Sequence, residues 1–333
     1  MYIYYITKMI PNVVYFIFGF KEQTEDFMFV YYLSVYSCYL VNNPDKINFY
    51  YHFEPRGEWW QKLKEIPTLD LHQVDIPDKI GDKPIKKVAH KADKLRMDLL
   101  YKRGGIYLDI DTICVKPYHD FLKEKVVLGE QIPLPGICNA IMMTEPKTDF
   151  FKIWLDNYEM NFNPDGWDEA SIFLPLEISK KVPDLLTLQK PDVFFLPHFR
   201  ETHKIFHSVN KIPSNLITLH LWESYSMKYI KEIKNWFWIY NNATTLYGKM
   251  MLNLIENYIV NDENVYCVKF EDLTVLPGDT YILNKDTKLS KIVNQESKEL
   301  LGKQLDRVEP IFDFRDGNLL VNIKKNRFKI LKK

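Results

Sequence analysis

Two aspartates separated by one residue, Asp109 and Asp111, have the types and spacing most suited to chemistry in this 333-residue chain. They follow a short run in which Ile106 and Leu108 alternate with Tyr107, as in a β-strand. Because side chains alternate between the faces of a strand, both carboxylates would emerge on the same side. Two like charges this close are costly to bury unless a cation lies between them. A hard divalent ion such as Mn²⁺ or Mg²⁺, shared with the phosphate oxygens of a nucleotide, would remove that cost.

The segment before this pair predicts the elements that position it. Val88, Ala92, Leu95 and Leu99 recur at helical spacing, which predicts a helix with one apolar stripe. Gly104-Gly105 follows, where a residue with positive φ is needed to end the helix. The sequence therefore predicts a helix, a glycine turn and a strand that carries both aspartates through to Asp111.

Together these residues resemble the core block of a known enzyme family. The block comprises Ala92-Asp93-Lys94-Leu95-Arg96 and then residues 100–111, which read LYKRGGIYLDID. It resembles the DXD-motif sugar-nucleotide glycosyltransferases of the Och1-like and capsular-polysaccharide type (glycosyltransferase family 32), and more distantly the clostridial glucosylating toxins. A lone D-x-D occurs by chance in most chains of this size, but the helix, double glycine and strand make the combined pattern specific. The resemblance covers residues 10–230.

The resemblance implies roles for residues of this block and of the first strand. Asp109 and Asp111 would hold a metal ion on the donor diphosphate and so serve catalysis. Asp93 and Arg96 would contact the donor sugar and its phosphate, with an ordinary i,i+3 salt bridge as the alternative. Phe18 takes the place of the family's tryptophan at the end of the first strand and would stack on the base, with a core position as its alternative.

Two later stretches extend the resemblance. Residues 216–224 (LITLHLWES) resemble the family's late H-x-W block. His220 would therefore bind the metal or the diphosphate, and Trp222 and Ser224 would line the donor site. A hydrogen-bonded core histidine is the alternative for His220. Asn139 begins a return strand and would lie near the donor sugar.

A second acidic pair, Asp168 and Glu169, opens an apolar helical segment. These carboxylates would orient an acceptor hydroxyl in catalysis, or else they are ordinary charges at a helix N-terminus. Och1-like enzymes commonly show a Gly-Pro with a downstream Thr in this region, and this chain does not. The acceptor side is therefore the part that the resemblance describes least.

Composition narrows the function classes. The 44 Lys and Arg balance 44 Asp and Glu, so the bulk charge gives no indication of a nucleic-acid binder. The four cysteines lack C-x-x-C spacing, which argues against a zinc site or a disulfide framework and fits a reducing compartment. The apolar run from Val13 to Phe20 is too short to cross a bilayer, which takes about 20 residues. We therefore expect a cytoplasmic protein, soluble or peripherally attached, without a signal peptide.

The order of the predicted elements gives the fold class. A β-α-β-α-β pattern before the central helix predicts an α/β fold, a GT-A-like Rossmann-type mostly parallel sheet flanked by helices. Trp59-Trp60 is expected to pack in its core. We expect a catalytic domain over residues 1–259 and a small β-rich appendage over 260–333, with a hairpin around Asp316-Gly317. The last ten residues hold six positive charges, and would be solvated or touch a membrane surface or a phosphorylated acceptor.

The prediction that results is an enzyme that transfers a sugar from a nucleotide-diphosphate donor to a hydroxyl of a glycan or glycoconjugate. It would need Mn²⁺ or Mg²⁺, and a UDP-sugar is favoured over a GDP-sugar. The resemblance implies retention of the anomeric configuration. Two other classes stay open. A metal-dependent phosphohydrolase would normally need more clustered Asp and His ligands, and a catalytically silent sugar-nucleotide or glycan-binding protein would bind without turnover.

Overall fold

The structure is a computed structural model of the chain. It describes residues 9–207, 211–254 and 257, and the backbone of six strands between residues 265 and 332. The chain divides into two compact units. The first unit comprises Met1–Thr202 with Pro213–Ile230, and the second comprises His203–Ile212 with Lys231–Lys333.

The helices and strands of both units are numbered in the order in which they occur along the chain. Helices α1 to α10 are Phe29–Asn42, Glu58–Leu63, Val88–Arg103, Asp149–Asn161, Leu174–Lys181, Pro191–Phe194, His203–Phe206, Glu223–Ile230, Trp236–Asn241 and Leu246–Leu254. Strands β1 to β17 are Val13–Ile17, Lys46–Tyr51, Leu69–Gln73, Lys79–Ile80, Lys83–Pro84, Gly105–Leu108, Thr112–Cys114, Val126–Gln131, Gly136–Thr144, Thr187–Gln189, Thr218–His220, Val265–Phe270, Tyr281–Leu283, Leu289–Lys291, Ile311–Asp313, Leu320–Ile323 and Asn326–Lys332. Among the described helices, none is long and apolar enough to cross a membrane.

A seven-stranded sheet forms the centre of the first unit, with strand order β10-β8-β9-β6-β1-β2-β3. The pairs β1–β2, β2–β3, β1–β6 and β8–β10 are parallel. Strand β9 runs antiparallel to both of its neighbours, β6 and β8. The sheet is thus mostly parallel, and the predicted α/β fold with a mostly parallel sheet flanked by helices is confirmed.

Apolar side chains on both faces of the sheet explain why helices flank it. Tyr15 of β1 faces a cluster that includes Met97 of α3 and Trp154 of α4. On the other face, Phe49 of β2 packs against Trp60 with ring centroids 5.2 Å apart. Trp60 is fully buried, as predicted, and its truncation to alanine would cost about 3–5 kcal/mol.

The buried face of α3 matches the predicted stripe only in part. Val88 is 40% exposed, and the face that turns inward includes His90, Asp93, Arg96 and Met97. The predicted stripe is therefore confirmed for Leu99, which is buried, and for Ala92 and Leu95, which pack against the core, but Val88 lies outside it. The polar groups are buried because other parts of the fold supply their hydrogen-bond partners, which periodicity cannot show.

The double glycine behaves as predicted, and the strand after it is shorter than predicted. Gly104 has φ 66° and Gly105 has φ 109°. A Cβ on Gly105 would lie 2.5 Å from the Val13 carbonyl oxygen, so the close approach of β6 to β1 also requires glycine. Strand β6 ends at Leu108, and a turn that includes Asp111 leads into β7. Strand β7 leaves the seven-stranded sheet and pairs with β11 instead.

The second unit contains the described C-terminal strands. Strands β12, β17, β16 and β15 form a four-stranded sheet in that order, and β13 pairs with β14. The expected hairpin strands β15 and β16 are antiparallel, while its Asp316-Gly317 turn lies outside the described residues. The basic C-terminal segment forms strand β17, which pairs with β12 and β16. The predicted domain boundary at 259/260 also lies outside the described residues.

Candidate active site

The candidate site lies where β6 ends. Asp109 follows the strand and Asp111 lies in the next turn, where its carbonyl accepts the Leu221 amide at 2.8 Å. Because β11 pairs with β7 so that His220 lies opposite Thr112, the imidazole is brought beside Asp111. One potential ligand atom from each of Asp109, Asp111 and His220 lies within 4.8 Å of the others.

Asp111 is buried, and both of its carboxylate oxygens have partners. Oδ1 lies 3.3 Å from Nε2 of His220, and Oδ2 accepts the main-chain amide of Glu223 at 2.6 Å. Burial alone would raise the pKa of Asp111, but His220 and the Glu223 amide lower it below its usual value. Burial alone would lower the pKa of His220, but the Asp111 carboxylate raises it well above its usual value. Asp111 therefore stays ionised at neutral pH.

Asp109 is more open, with 26% of its side chain exposed. Its Oδ1 accepts the Tyr107 hydroxyl at 2.6 Å and lies 3.1 Å from Nη1 of Arg96. Burial and the neighbouring Asp111 raise the pKa of Asp109, although Arg96 opposes this shift. The protein contacts of this carboxylate among the described residues fall on Oδ1, so Oδ2 is the atom best placed to bind a ligand.

A network of buried polar groups surrounds Arg96 of α3 and reaches Asp109. Arg96 lies 3.5 Å from the Asp93 carboxylate and donates to the Asn139 carbonyl at 2.9 Å. The Asn139 side chain in turn donates to Asp93 at 2.8 Å. The Arg96 guanidinium stacks 4.3 Å from the centre of the Tyr107 ring. Arg96 thus links Asp93 and Asp109, and the plain salt bridge that was the alternative for Asp93 and Arg96 exists as part of a larger network.

The donor set fits a hard divalent cation. Asp109 and Asp111 offer carboxylate oxygens, and His220 offers an imidazole nitrogen when a cation displaces its proton. Two oxygens with one nitrogen suit Mn²⁺ better than Mg²⁺, which prefers oxygen alone. Carboxylates outnumber basic groups around Asp109, Asp111 and His220, because Asp93 and Glu223 also lie near these residues. A cation would relieve the repulsion that raises the pKa of Asp109.

Phe18, which is predicted to stack on the nucleotide base, lies at the end of β1 and is half-buried. Its ring packs 5.2 Å from Phe27 and 5.1 Å from Tyr31. The Tyr31 hydroxyl donates to the Glu223 carboxylate at 2.7 Å, and the Glu223 amide holds Asp111. Phe18 is therefore connected to the aspartates through two intervening side chains.

Trp222 and Ser224 lie in different surroundings although they are close in sequence. The Trp222 indole donates to the Pro197 carbonyl at 3.0 Å, and its ring lies 4.3 Å from that of His220. Trp222 is buried, with φ 58°, whereas Ser224 is exposed on the first turn of α8. Trp222 thus supports His220, and Ser224 faces solvent.

Asp168 directly precedes a short π-helix, Glu169–Phe173, and Glu169 is its first residue. Asp168 is half-buried, and burial together with Glu169 raises its pKa. Glu169 accepts the Asn163 side chain at 2.9 Å, which lowers its pKa. Trp167 precedes them and is 53% exposed, with its ring 6.3 Å from that of His90.

Three residues around the site were given no role by the reasoning from sequence. Strand alternation placed Tyr107 on the same side of the chain as Asp109, but it did not predict the hydrogen bond between them. Glu223 lies between Trp222 and Ser224 in the late block, where only its neighbours matched the family pattern. Tyr31 lies on α1, and no local pattern connects it with residues almost 200 positions away.

A family model supports the class of this site. The model described as "Glycosyltransferase sugar-binding region containing DXD motif" matches residues 19–128, which include Asp93, Arg96 and both aspartates. The chain is also 30% identical over 244 residues to a curated protein, and this alignment covers 68% of the chain. The chain belongs to the glycosyltransferases whose sugar-binding region contains a DXD motif.

The curated relative just mentioned is glucan organizing enzyme 1 of Cryptococcus neoformans var. grubii serotype A. A second relative, lactosylceramide 4-alpha-galactosyltransferase of Mus musculus, is 24% identical over 204 residues, which are 52% of this chain. The alignments span 66% and 55% of these two proteins. Among solved structures, the apo form of the glycosyltransferase GlyE of Streptococcus pneumoniae aligns at 14% identity and a TM-score of 0.43, over 78% of this chain and 68% of that one. That score adds nothing to the family assignment, which rests on sequence.

Proposed function

We propose that the chain transfers a sugar from a nucleotide-diphosphate donor to a hydroxyl group of a glycan or glycoconjugate, with Mn²⁺ or Mg²⁺ at the site. One observation carries the proposal. Ligand atoms of Asp109, Asp111 and His220 lie within 4.8 Å of one another, and Arg96 lies beside them. This arrangement combines a cation site with a fixed positive charge, which is what a leaving diphosphate needs.

Each residue around the candidate cation site would have a different role. Asp109, Asp111 and His220 would hold the cation, which supplies positive charge for the diphosphate as the bond to the sugar breaks. Arg96 is held by Asp93 and by the Asn139 carbonyl, so its guanidinium would meet the donor without having to reorganise. We propose that Asp93 and Asn139 orient Arg96 against the donor sugar and line that part of the site.

The nucleotide would lie on the other side of the aspartates. Phe18 is half-buried at the carboxyl end of a parallel strand, which is where ligands of open α/β sheets bind. We propose that its exposed surface stacks on the base, that Trp222 closes the site through His220, and that Ser224 approaches the donor from solvent. A UDP-sugar stands ahead of a GDP-sugar as the proposed donor.

The acceptor would enter beside Asp168 and Glu169. The exposed Trp167 offers a flat apolar face for a sugar ring, and the half-buried Asp168 next to it can accept a hydrogen bond from a hydroxyl. Glu169 is hydrogen-bonded to Asn163 within its own loop, so we propose that it shapes this loop around the acceptor.

Three finer proposals come from the sequence. They are retention of the anomeric configuration, residence in the cytoplasm, and a weak peripheral contact of the basic C-terminal segment with a membrane surface. The anomeric configuration of the product, followed by NMR, tests the first. Fractionation of the native source and vesicle sedimentation test the other two.

The experiment for the proposed function is a turnover assay with a panel of nucleotide sugars. UDP-sugars come first and GDP-sugars second, each with Mn²⁺, with Mg²⁺ and with EDTA, and with and without a glycan acceptor. We expect one donor to be consumed only with the metal, and faster with an acceptor. Donor cleavage that releases sugar phosphate would instead indicate a phosphohydrolase. Metal-dependent binding without turnover of any donor would indicate a binding protein.

A further inference from the structure

A hydrogen bond between helices α1 and α8 lies directly behind Asp111. The Tyr31 hydroxyl on α1 donates to Oε1 of Glu223, the first residue of α8, at 2.7 Å. Tyr31 is 3% exposed and packs against Phe18 and Phe27. The two residues are 192 positions apart, so this bond fixes the beginning of α8 against a distant part of the same compact unit.

The main chain of Glu223 makes a second contact, with Asp111. Its amide donates to Oδ2 of Asp111 at 2.6 Å, while the other Asp111 oxygen lies 3.3 Å from His220. The side chain of Glu223 thus anchors α8, and its main chain orients a carboxylate of the candidate cation site.

The turn before α8 makes this anchor important. Trp222 has φ 58°, a backbone conformation that residues other than glycine rarely adopt, so neighbouring contacts must hold it. The indole of Trp222 is fixed by the Pro197 carbonyl on one side of the turn. The Tyr31–Glu223 hydrogen bond fixes the other side.

We propose that Tyr31 and Glu223 are positioning residues for the cation site, and that their side-chain hydrogen bond keeps the Glu223 amide on Asp111. This inference rests on the proposed function, because it requires a divalent cation at Asp109, Asp111 and His220. Partners that orient metal ligands commonly change metal affinity 10- to 100-fold when they are mutated.

The alternative is that the charge of the Glu223 carboxylate acts directly on the cation. Two substitutions separate these roles, because each one keeps what the other removes. Glu223→Gln removes the charge, but its amide oxygen can still accept the Tyr31 hydroxyl. Glu223→Asp keeps the charge, but it is one methylene too short to reach Tyr31. Tyr31→Phe removes the donor and leaves Glu223 unchanged.

The experiment is a titration of each full-length variant with Mn²⁺ alone, in which free Mn²⁺ is measured by electron paramagnetic resonance. We expect Tyr31→Phe and Glu223→Asp each to weaken Mn²⁺ binding about tenfold, and Glu223→Gln to stay within about threefold of wild type. Tyr247→Phe is the matched control, because it removes a buried hydroxyl that has no hydrogen-bond partner among the described residues. It should bind Mn²⁺ as wild type does.

The possible outcomes distinguish this inference from the function on which it rests. Wild-type affinity in both Tyr31→Phe and Glu223→Asp would overturn the positioning role. A greater loss in Glu223→Gln than in Glu223→Asp would assign the effect to charge and would also overturn it. A wild-type protein that binds no Mn²⁺ would overturn the proposed cation site itself. Thermal unfolding without metal identifies a variant that is merely unfolded, and the remaining two variants then decide.

Discussion

The two acidic pairs proposed for the site, Asp109–Asp111 and Asp168–Glu169, differ in their surroundings. Asp109 and Asp111 are held by distant elements: α3 through Arg96, β11 through His220 and α8 through its first amide. Asp168 and Glu169 lie where a loop meets the short π-helix, and Glu169 is held by Asn163 only six residues away. The first pair is thus fixed by tertiary structure and the second mainly by its own segment.

This difference indicates which part of the site is built before substrate binds. Carboxylates held by many segments have little freedom, so they suit a cation that demands defined geometry. Carboxylates held by their own loop can adjust, which suits a variable acceptor. The comparison predicts that substitutions near the first pair have large effects on stability and donor binding, and that substitutions in the second have small ones.

The largest effect is expected for Arg96→Met. This change leaves Asp93 and Asp109 without the buried cation that faces both carboxylates, and breaking a buried ion pair costs about 3–5 kcal/mol. Urea unfolding measures the loss. Arg103→Met, in the exposed last turn of the same helix, is the control and should cost under about 1 kcal/mol. Equal losses in the two variants would contradict a special role for the network.

The second-largest effect is expected for Asp111→Asn, which should lower the rate of metal-dependent turnover. The change removes the charge that pairs with His220 and would face the cation, so we expect kcat to fall about 10²- to 10³-fold. Steady-state kinetics with a saturating donor measure it. Asp98→Asn is the matched control, because Asp98 pairs with Lys94 on a partly exposed face and should leave turnover unchanged. Turnover at the wild-type rate in Asp111→Asn would remove this carboxylate from the site.

A smaller effect of opposite sign is expected for Asp109→Asn in the absence of metal. The raised pKa of Asp109 means that folding disfavours its charged form, so the variant should be more stable than wild type at pH 7.5. The gain should vanish as the pH falls towards about 3, below the ordinary Asp pKa of about 3.9, where the carboxyl group is protonated in both folded and unfolded states. Urea unfolding in EDTA at the two pH values measures it. A variant that is less stable at pH 7.5 would show that Arg96 outweighs the repulsion.

The smallest effect is expected for Glu169→Gln in the second pair. Its amide oxygen can still accept from Asn163, so stability should change by less than about 0.5 kcal/mol. Donor affinity should not change, and the KM for the acceptor should change only a few-fold. Initial rates with each substrate varied in turn provide the measurement. A large loss of donor affinity would show that Glu169 acts on donor binding as Asp109 and Asp111 are expected to do, and it would contradict the difference between the two pairs.

The sequence predicted the parts of the site that depend on local pattern. Strand alternation placed Tyr107 and Asp109 on one face, and the double glycine marked the turn before β6. The apolar stripe of α3 was predicted in part, but the burial of Asp93 and Arg96 was not, because their partners lie on other elements. The family pattern placed His220 with the aspartates, whereas its register opposite Thr112 is a property of the sheet.

Other features had no local signal at all. Tyr31 meets Glu223 only after the sheet brings α1 and α8 together. The strand was expected to continue through Asp111, but β7 turns away to pair with β11. Both features depend on long-range pairing, which neither residue type nor periodicity encodes.

The central claim is that Asp109 and Asp111 hold a cation that binds the diphosphate of the donor. The most direct test is thermal unfolding of wild type and of the Asp109→Asn/Asp111→Asn double variant with UDP or GDP, each with Mn²⁺ and with EDTA. A ligand at 100 times its Kd adds about 2.7 kcal/mol of stability, which gives a clear shift in Tm. We predict a shift for one nucleotide that requires Mn²⁺ and is absent in the double variant. A shift that is equal in both proteins, or no shift with either nucleotide at saturating Mn²⁺, would contradict the claim.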